Sequence, residues 1–228
     1  LTIFLITGIF SGFIAGLLGV GGGIIIVPVT YFVLLYLGYS IDVVMHVAVA
    51  SSLGIIVLTS ISSIRSHIKL ENVEFGVIRK WAPGIITGSI LGSISASLID
   101  GRTLITIFIT LLFLVSLNML FHKNFIRFSK DIPNNILINF LISNVIGFLS
   151  VLMGIGGGSF SVPTLCAFSK KIHKAVGTSS VIGFFIAMPG LIIYTIAGKD
   201  IMGLPPYSFG YPNIIIILLV ASTSVITA

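Results

Sequence analysis

The chain has 228 residues, of which 56% are hydrophobic and only 8% are charged, and its formal net charge is +6 at pH 7. Soluble globular domains carry roughly 25% charged residues, so this composition excludes an ordinary soluble protein. Apolar runs of the roughly 20 residues that cross a bilayer recur along the whole chain, which indicates a polytopic membrane protein rather than one with a single anchor.

Nine apolar segments are predicted in chain order. They lie at about 1–18, 24–38, 43–64, 75–99, 103–121, 133–153, 159–169, 174–197 and 212–228. Their apolar stretches are continuous and lack the alternation that a transmembrane β-strand needs, so we predict an all-α fold. The second and seventh segments are too short to span a membrane comfortably and are expected to be half-helices. The first lacks the basic start and cleavage pattern of a signal peptide and is expected to belong to the fold.

Each half-helix begins at one copy of a duplicated glycine motif. The first copy reads G-V-G-G-G-I-I-I-V-P from Gly19 to Pro28, and the second reads G-I-G-G-G-S-F-S-V-P from Gly154 to Pro163, 135 residues later. Farther on, His46 and His173 each begin the string His-x-Ala-Val, followed by a small residue, a hydroxyl residue and Ser. This duplication predicts one transmembrane domain made of two repeats at about 1–99 and 133–228, joined by a linker span and basic loop at about 100–132.

The distribution of basic residues distinguishes two topologies for the glycine segments. If each segment is a hairpin that returns to its own face, ten basic residues lie on one face and two on the other; if each is a broken helix that continues across, the split is eight to four. Cytoplasmic loops are enriched in Lys and Arg, so we predict hairpins, cytoplasmic basic loops and an outside amino terminus. An odd number of crossings then separates the motifs, which predicts inverted repeats, a frequent architecture of secondary transporters.

The glycine motifs match neither a P-loop nor a dinucleotide fingerprint, so no nucleotide cofactor is predicted. The glycines instead expose N–H groups at the start of a half-helix, where the positive end of the helix dipole favours an anion. An alternative is that they only permit close helix packing. The predicted substrate-binding glycines are Gly21, Gly22, Gly23, Gly156, Gly157 and Gly158, and the predicted structural positions are Gly19, Pro28, Gly154 and Pro163.

Several polar side chains complete the predicted site. Hydroxyls can donate to an oxyanion, although in membrane helices they often bond a carbonyl one turn back. The hydroxyl residues predicted to contact substrate are Ser51, Ser52, Thr178 and Ser179. Asp42 and His46 share a helix face at i, i+4, and they are the hypothetical carriers of a coupling proton, with plain interfacial placement as the alternative.

Other chemistries have no support in the sequence. Cys166 is the only cysteine, and no cluster of acidic, His and Cys residues lies in the apolar segments, so neither a metal site nor another cofactor is predicted. Basic residues confined to short loops indicate membrane topology rather than nucleic-acid binding. The expected partners are a small anionic substrate and the lipid bilayer, and a homodimer stays open.

The glycine motif in two copies, each followed by Ala-Val, a small residue, Ser or Thr, and Ser, resembles the sulfite exporter TauE/SafE family, also called the toluene sulfonate uptake permease family. The resemblance implies a secondary transporter rather than an enzyme, which moves a small sulfur-containing anion such as sulfite or an organosulfonate across a prokaryotic inner membrane. Export is the expected direction, with import as the alternative. The first half departs from the family's Gly-Thr-Ser string with Ala50-Ser51-Ser52. The alternatives are a carrier or channel for a carboxylate or metal cation, and a non-transporting membrane assembly partner.

Overall fold

The fold is helical, as predicted from the apolar segments. A computed structural model describes residues 2–18, 22–121 and 132–227 of the chain, and these ranges contain helices but no strand. The helices are α1 (Thr2–Leu18), α2 (Gly23–Tyr36), α3 (Ile41–Lys69), α4 (Phe75–Leu98), α5 (Gly101–Phe121), α6 (Ile136–Leu152), α7 (Gly158–Ala167), α8 (Ile172–Ala197) and α9 (Ile214–Thr227). The predicted basic loop between α5 and α6 lies outside the described residues.

The helix boundaries lie within a few residues of the predicted segments, with one larger difference. The third segment is predicted to end at 64, but α3 continues to Lys69. The prediction was wrong there because it followed hydropathy, which falls where polar residues begin. The chain remains helical beyond that point, and His67 and Lys69 in its last turn complement the negative end of the helix dipole.

The two half-helices, α2 and α7, are much shorter than a bilayer is thick. At 1.5 Å per residue, the 14 residues of α2 extend for about 21 Å and the 10 residues of α7 for about 15 Å. Within the described part of the chain, α3, α4 and α8 are long and apolar enough to cross a membrane. The half-helix lengths predicted for the second and seventh segments therefore agree with the structure.

The helices pack in matching pairs across the two halves. Helix α1 packs on α9 and α6 packs on α4, while each half-helix packs on the long helix that follows it, α2 on α3 and α7 on α8. The long helices α3 and α8 pack on each other and also contact α9 and α4, respectively. Helix α5 packs mainly on α3 and has no counterpart in this pairing.

Small residues allow the closest of these approaches. A β-carbon at Gly88 of α4 would overlap the main-chain carbonyl of Asn144 in α6, and one at Gly12 of α1 would lie 2.6 Å from the carbonyl oxygen of Ser224 in α9. Backbones that approach this closely gain van der Waals contact, which is one of the forces that join helices in lipid. Close backbone contact at a glycine therefore joins both the α4–α6 pair and the α1–α9 pair.

Candidate functional site

Both half-helices begin at a glycine in the left-handed conformation. Gly22 has φ 69° and caps α2, and Gly157 has φ 76° and caps α7. Their carbonyls accept hydrogen bonds from Ile25 and Ile26 in the first case, and from the corresponding Phe160 and Ser161 in the second. Glycine takes up positive φ without the steric cost that a β-carbon adds, so the motif needs glycine at these two positions.

The second glycine turn also closes the end of α6. The N–H of Gly154, at φ 62°, donates to the carbonyl of Val151, and the N–H of Ile155 donates to the carbonyl of Ser150. This pair of bonds is a Schellman motif, which satisfies carbonyls that a helix end otherwise leaves unpaired. The chain thus ends α6 at Leu152 and begins α7 at Gly158.

The two glycine turns lie against each other. A β-carbon at Gly23 would overlap the carbonyl oxygen of Gly154 and would lie 3.0 Å from the Cα atom of Ile155. The Gly154 carbonyl also accepts a hydrogen bond of 2.7 Å from the Ser52 hydroxyl of α3. The structure therefore brings the start of α2, the second turn and the middle of α3 to one point.

The other described residues of the motifs are glycines in close helix contacts and prolines inside the half-helices. Gly156 lies against α8, with its carbonyl oxygen 2.6 Å from the position of a β-carbon on Gly183, and Gly158 is the buried first residue of α7. Pro28 and Pro163 each occupy the sixth position of their half-helix, where they donate no N–H to the helical ladder. Gly19 and Gly21 lie outside the described residues.

Two of the predicted hydroxyls hold the connections between long helices. Ser51 accepts a hydrogen bond of 3.0 Å from the N–H of Asn213, which precedes α9, and Thr178 accepts one of 3.0 Å from the N–H of Glu74, which precedes α4. Ser51 and Thr178 are equivalent positions of the two repeats. Each repeat thus uses this hydroxyl to fix the connection of the other repeat, and substrate contact by the two residues stays a prediction.

Two buried serines of α7 do not belong to the pattern that the repeats share. Ser161 donates a buried hydrogen bond of 2.9 Å to Ser179. Ser159, in the first turn of α7, is 5% exposed, and its hydroxyl has no hydrogen-bond partner among the described residues. Ile24 and Ile26 occupy the equivalent places in the first repeat, so a search for identities between the copies passes over both serines. The Ile-to-Ser differences between the copies are the sequence signal at these two positions.

His46 is buried, at 2% exposure, and is surrounded by main-chain carbonyls. Its Nδ1 lies 3.1 Å from the oxygen of Asp42, and its Nε2 lies 3.0 Å and 3.1 Å from the oxygens of Ala96 and Ile99 at the end of α4. Carbonyl oxygens only accept hydrogen bonds, so a ring nitrogen that carries a hydrogen atom can donate to them. The ring also stacks on Tyr211 with centroids 4.8 Å apart, and burial raises the pKa of that phenol.

The Asp42 carboxylate is placed differently from the prediction that pairs it with the imidazole. It accepts a hydrogen bond of 3.3 Å from Ser40, whose hydroxyl also caps the start of α3. Asp100, which precedes α5, is likewise held by local bonds: the hydroxyl and N–H of Thr103 donate to it and keep the pKa of this carboxyl below its usual value. No group of three metal-ligating side chains is present in the described ranges.

A family model for the sulfite exporter TauE/SafE matches residues 4–228 of the chain. The chain belongs to this family. A "Probable membrane transporter protein" of Haemophilus influenzae is 30% identical over 226 residues, covering 98% of the chain and 84% of the relative. "Probable membrane transporter protein YunE" of Bacillus subtilis is 31% identical over 216 residues, which cover 86% of the chain and 78% of the relative.

An archaeal relative extends the same comparison. A probable membrane transporter protein of Methanocaldococcus jannaschii is 30% identical over 229 residues, covering 97% of the chain and 81% of the relative. No solved structure gives a significant match. Membership of the TauE/SafE family, together with the apolar helices, identifies the protein as a multi-pass membrane transporter.

Proposed function

We propose that this protein is a secondary transporter that exports a small sulfur-containing anion, such as sulfite or an organosulfonate. The observation that carries the proposal is the contact between the two glycine turns, at Gly23 and Gly154, each next to the amino terminus of a half-helix. Unwound backbone at membrane depth is tolerated mainly where it lines a cavity. Substrate recognition by dipoles and hydroxyls requires no enzyme chemistry, no metal and no other cofactor.

The half-helix amino termini supply the attraction for an anion. The first N–H groups of a helix have no partner within the helix, and the dipole adds a partial positive charge there. The proposed contacts are the glycines of the two turns, including Gly21, together with Ser51, Ser52, Thr178 and Ser179. Ser52 and Ser179 lie on the central helices α3 and α8, which pack on each other.

Alternating access between inverted repeats is the proposed mechanism. The matching helix pairs support it, since α1 packs on α9 as α6 packs on α4, and each pair joins one repeat to the other. In transporters of this kind, the two halves rock around a site near the bilayer midplane. We further propose the inner membrane of a prokaryote as the location, with cytoplasmic basic loops and an outside amino terminus.

A proton on His46 is the proposed coupling ion. The Nε2 atom of His46 lies 3.0 Å and 3.1 Å from two carbonyl oxygens at the end of α4, so a proton on this atom would be shared between α3 and α4. A neutral imidazole carries one N–H rather than two, so loss of a proton would leave either the Asp42 carbonyl or the α4 carbonyls without a donor, which would connect protonation to helix packing. Asp42 contributes its main-chain carbonyl to the same ring.

Purified protein in liposomes tests the substrate class. Labelled sulfite should enter protein-containing liposomes faster than protein-free ones, and unlabelled sulfite or sulfoacetate should compete while acetate should not. Flux no faster than that of protein-free liposomes for sulfite, thiosulfate and sulfoacetate would contradict the proposal. Equal competition by acetate would contradict selectivity for sulfur anions.

A further inference from the structure

A polar cavity of about 320 Å³ lies where α4 and α6 begin. Four of its lining residues have polar side chains, namely Glu74, Lys80, Asn134 and Lys170. A single water needs about 10–15 Å³ of such a space, so the cavity has room for a group of several heavy atoms. These four residues are not part of the proposed transport site, so the cavity is a separate place in the fold.

Lysines outnumber carboxylates among the described residues at this cavity. The Glu74 carboxylate lies 3.5 Å from the Nζ atom of Lys170 and 3.3 Å from the Nζ atom of Lys174, so it is shared by two ammonium groups. The third lysine, Lys80 of α4, forms no ion pair with a described residue. Three positive charges thus face one negative charge, and an anionic group would complement the excess.

Lys80 and Asn134 present hydrogen-bond donors side by side. The Nζ atom of Lys80 donates a hydrogen bond of 3.2 Å to the side-chain oxygen of Asn134. An ammonium group has three N–H donors, and the asparagine amide has two more on its nitrogen. The bond between the two residues uses one of these five donors, and neither side chain bonds another described residue. Lysine is a common phosphate ligand, so this pair is suited to phosphate oxygens.

Exposed apolar side chains stand next to the cavity in the chain. Phe75, the first residue of α4, is 56% exposed and follows Glu74; Ile136, the first residue of α6, is 85% exposed and lies two residues after Asn134. In a membrane protein such side chains are covered by lipid. A charged cavity beside lipid-facing side chains matches a phospholipid, in which a charged headgroup is joined to apolar acyl chains.

We propose that this α4–α6 cavity binds the phosphate group of an anionic phospholipid, with Lys80 and Asn134 as its donors. Basic pockets between transmembrane helices are known binding sites for anionic headgroups. Since α4 belongs to the first repeat and α6 to the second, one bound lipid would contact both repeats. The proposal does not depend on which solute the protein transports.

Binding of phosphatidylglycerol to the full chain in detergent micelles, measured by native mass spectrometry, tests the site. The wild type should bind this anionic lipid at least tenfold more tightly than phosphatidylcholine with the same acyl chains. Lys80→Gln should weaken phosphatidylglycerol binding at least fivefold. Arg79→Gln removes the same charge from the neighbouring exposed residue, which does not line the cavity, and should bind within twofold of the wild type.

A second variant removes the other donor. Asn134→Ala should weaken phosphatidylglycerol binding at least threefold. Both Lys80 and Asn134 are exposed, so their variants should have the Tm of the wild type without lipid, and weaker binding would then reflect a lost contact rather than unfolding. The proposal is overturned if the wild type binds both lipids equally tightly, or if Lys80→Gln and Arg79→Gln bind phosphatidylglycerol alike.

Soluble glycerol 3-phosphate distinguishes a lipid headgroup from a free anion. A ligand that binds only the folded state raises Tm, and glycerol 3-phosphate carries the phosphate group without acyl chains. At the same concentration it should raise the Tm of the wild type much less than phosphatidylglycerol does. If the two raise Tm equally, and Lys80→Gln abolishes both shifts, the cavity binds free oxyanions and the assignment to a lipid is wrong.

Discussion

Gly23 lies against the main-chain carbonyl of Gly154, so the first helical residue of one half-helix touches the glycine turn that precedes the other. The two residues are far apart in sequence and belong to different repeats. Ser52 of α3 donates to the same carbonyl, which ties the contact to a central helix. Any movement of one repeat relative to the other must therefore involve this point.

Gly23→Ala should destabilise the protein, because its β-carbon would overlap main-chain atoms that cannot move independently. Overpacking of this kind costs about 1–3 kcal/mol or more, equivalent to a Tm lower by several degrees. Thermal unfolding in detergent measures the shift. Gly76→Ala, in the first turn of α4, is the matched control, because a β-carbon there would meet no neighbouring atom within 4 Å. This variant should leave Tm unchanged or higher. Equal Tm values for the two variants would contradict this packing.

Gly157→Ala should impair transport more than its backbone strain explains. Alanine at positive φ costs about 1–2 kcal/mol, and Gly203→Ala, at φ 80° with no neighbour within 4 Å, incurs that cost alone. In liposomes with equal amounts of folded protein, we expect at least tenfold slower sulfite flux for Gly157→Ala and near-normal flux for Gly203→Ala. Similar rates in the two variants would argue against a special role for the second turn.

His46→Leu should lower stability, whereas His173→Leu should not. The first change leaves the carbonyls of Ala96 and Ile99 without their donor and removes the stack on Tyr211, a loss on the order of 3 kcal/mol. His173 begins the same repeat string but is exposed, so it serves as the control. Thermal unfolding of both variants measures the two changes in Tm. An unchanged Tm for His46→Leu would show that the carbonyl contacts contribute nothing to stability.

Thr178→Val distinguishes helix capping from substrate contact. Loss of the acceptor for the Glu74 N–H should lower stability by about 1–3 kcal/mol in the absence of ligand. Thr106→Val, at an exposed hydroxyl that bonds its own helix, is the control and should change Tm little. If Thr178→Val instead keeps its Tm and weakens sulfite binding, the hydroxyl acts on the substrate.

The fold could be predicted from sequence because hydropathy and glycine position act locally. The half-helices begin at Gly23 and Gly158, as the duplicated motif predicts, since a left-handed glycine is a local requirement of the turn. The end of α3 was misplaced because a helix can continue into polar residues beyond the apolar run. Hydropathy thus predicts where a helix is buried more reliably than where it ends.

The site was only partly predictable, because hydrogen-bond partners are set by tertiary contacts. Ser51 and Thr178 have the residue types of anion donors, yet each accepts a main-chain N–H from the opposite repeat. Ser159 differs from its counterpart Ile24, so the identity between the repeats does not mark it. Its interest arises from burial without a partner, which no sequence pattern encodes.

Counterflow of labelled sulfite tests the central claim most directly. Liposomes that contain the protein are loaded with a high concentration of unlabelled sulfite and diluted into a trace of labelled sulfite at equal pH. An alternating-access carrier exchanges one for the other, so the label should accumulate transiently above its equilibrium level inside. Entry of label that never exceeds equilibrium, or that matches protein-free liposomes, would contradict the account.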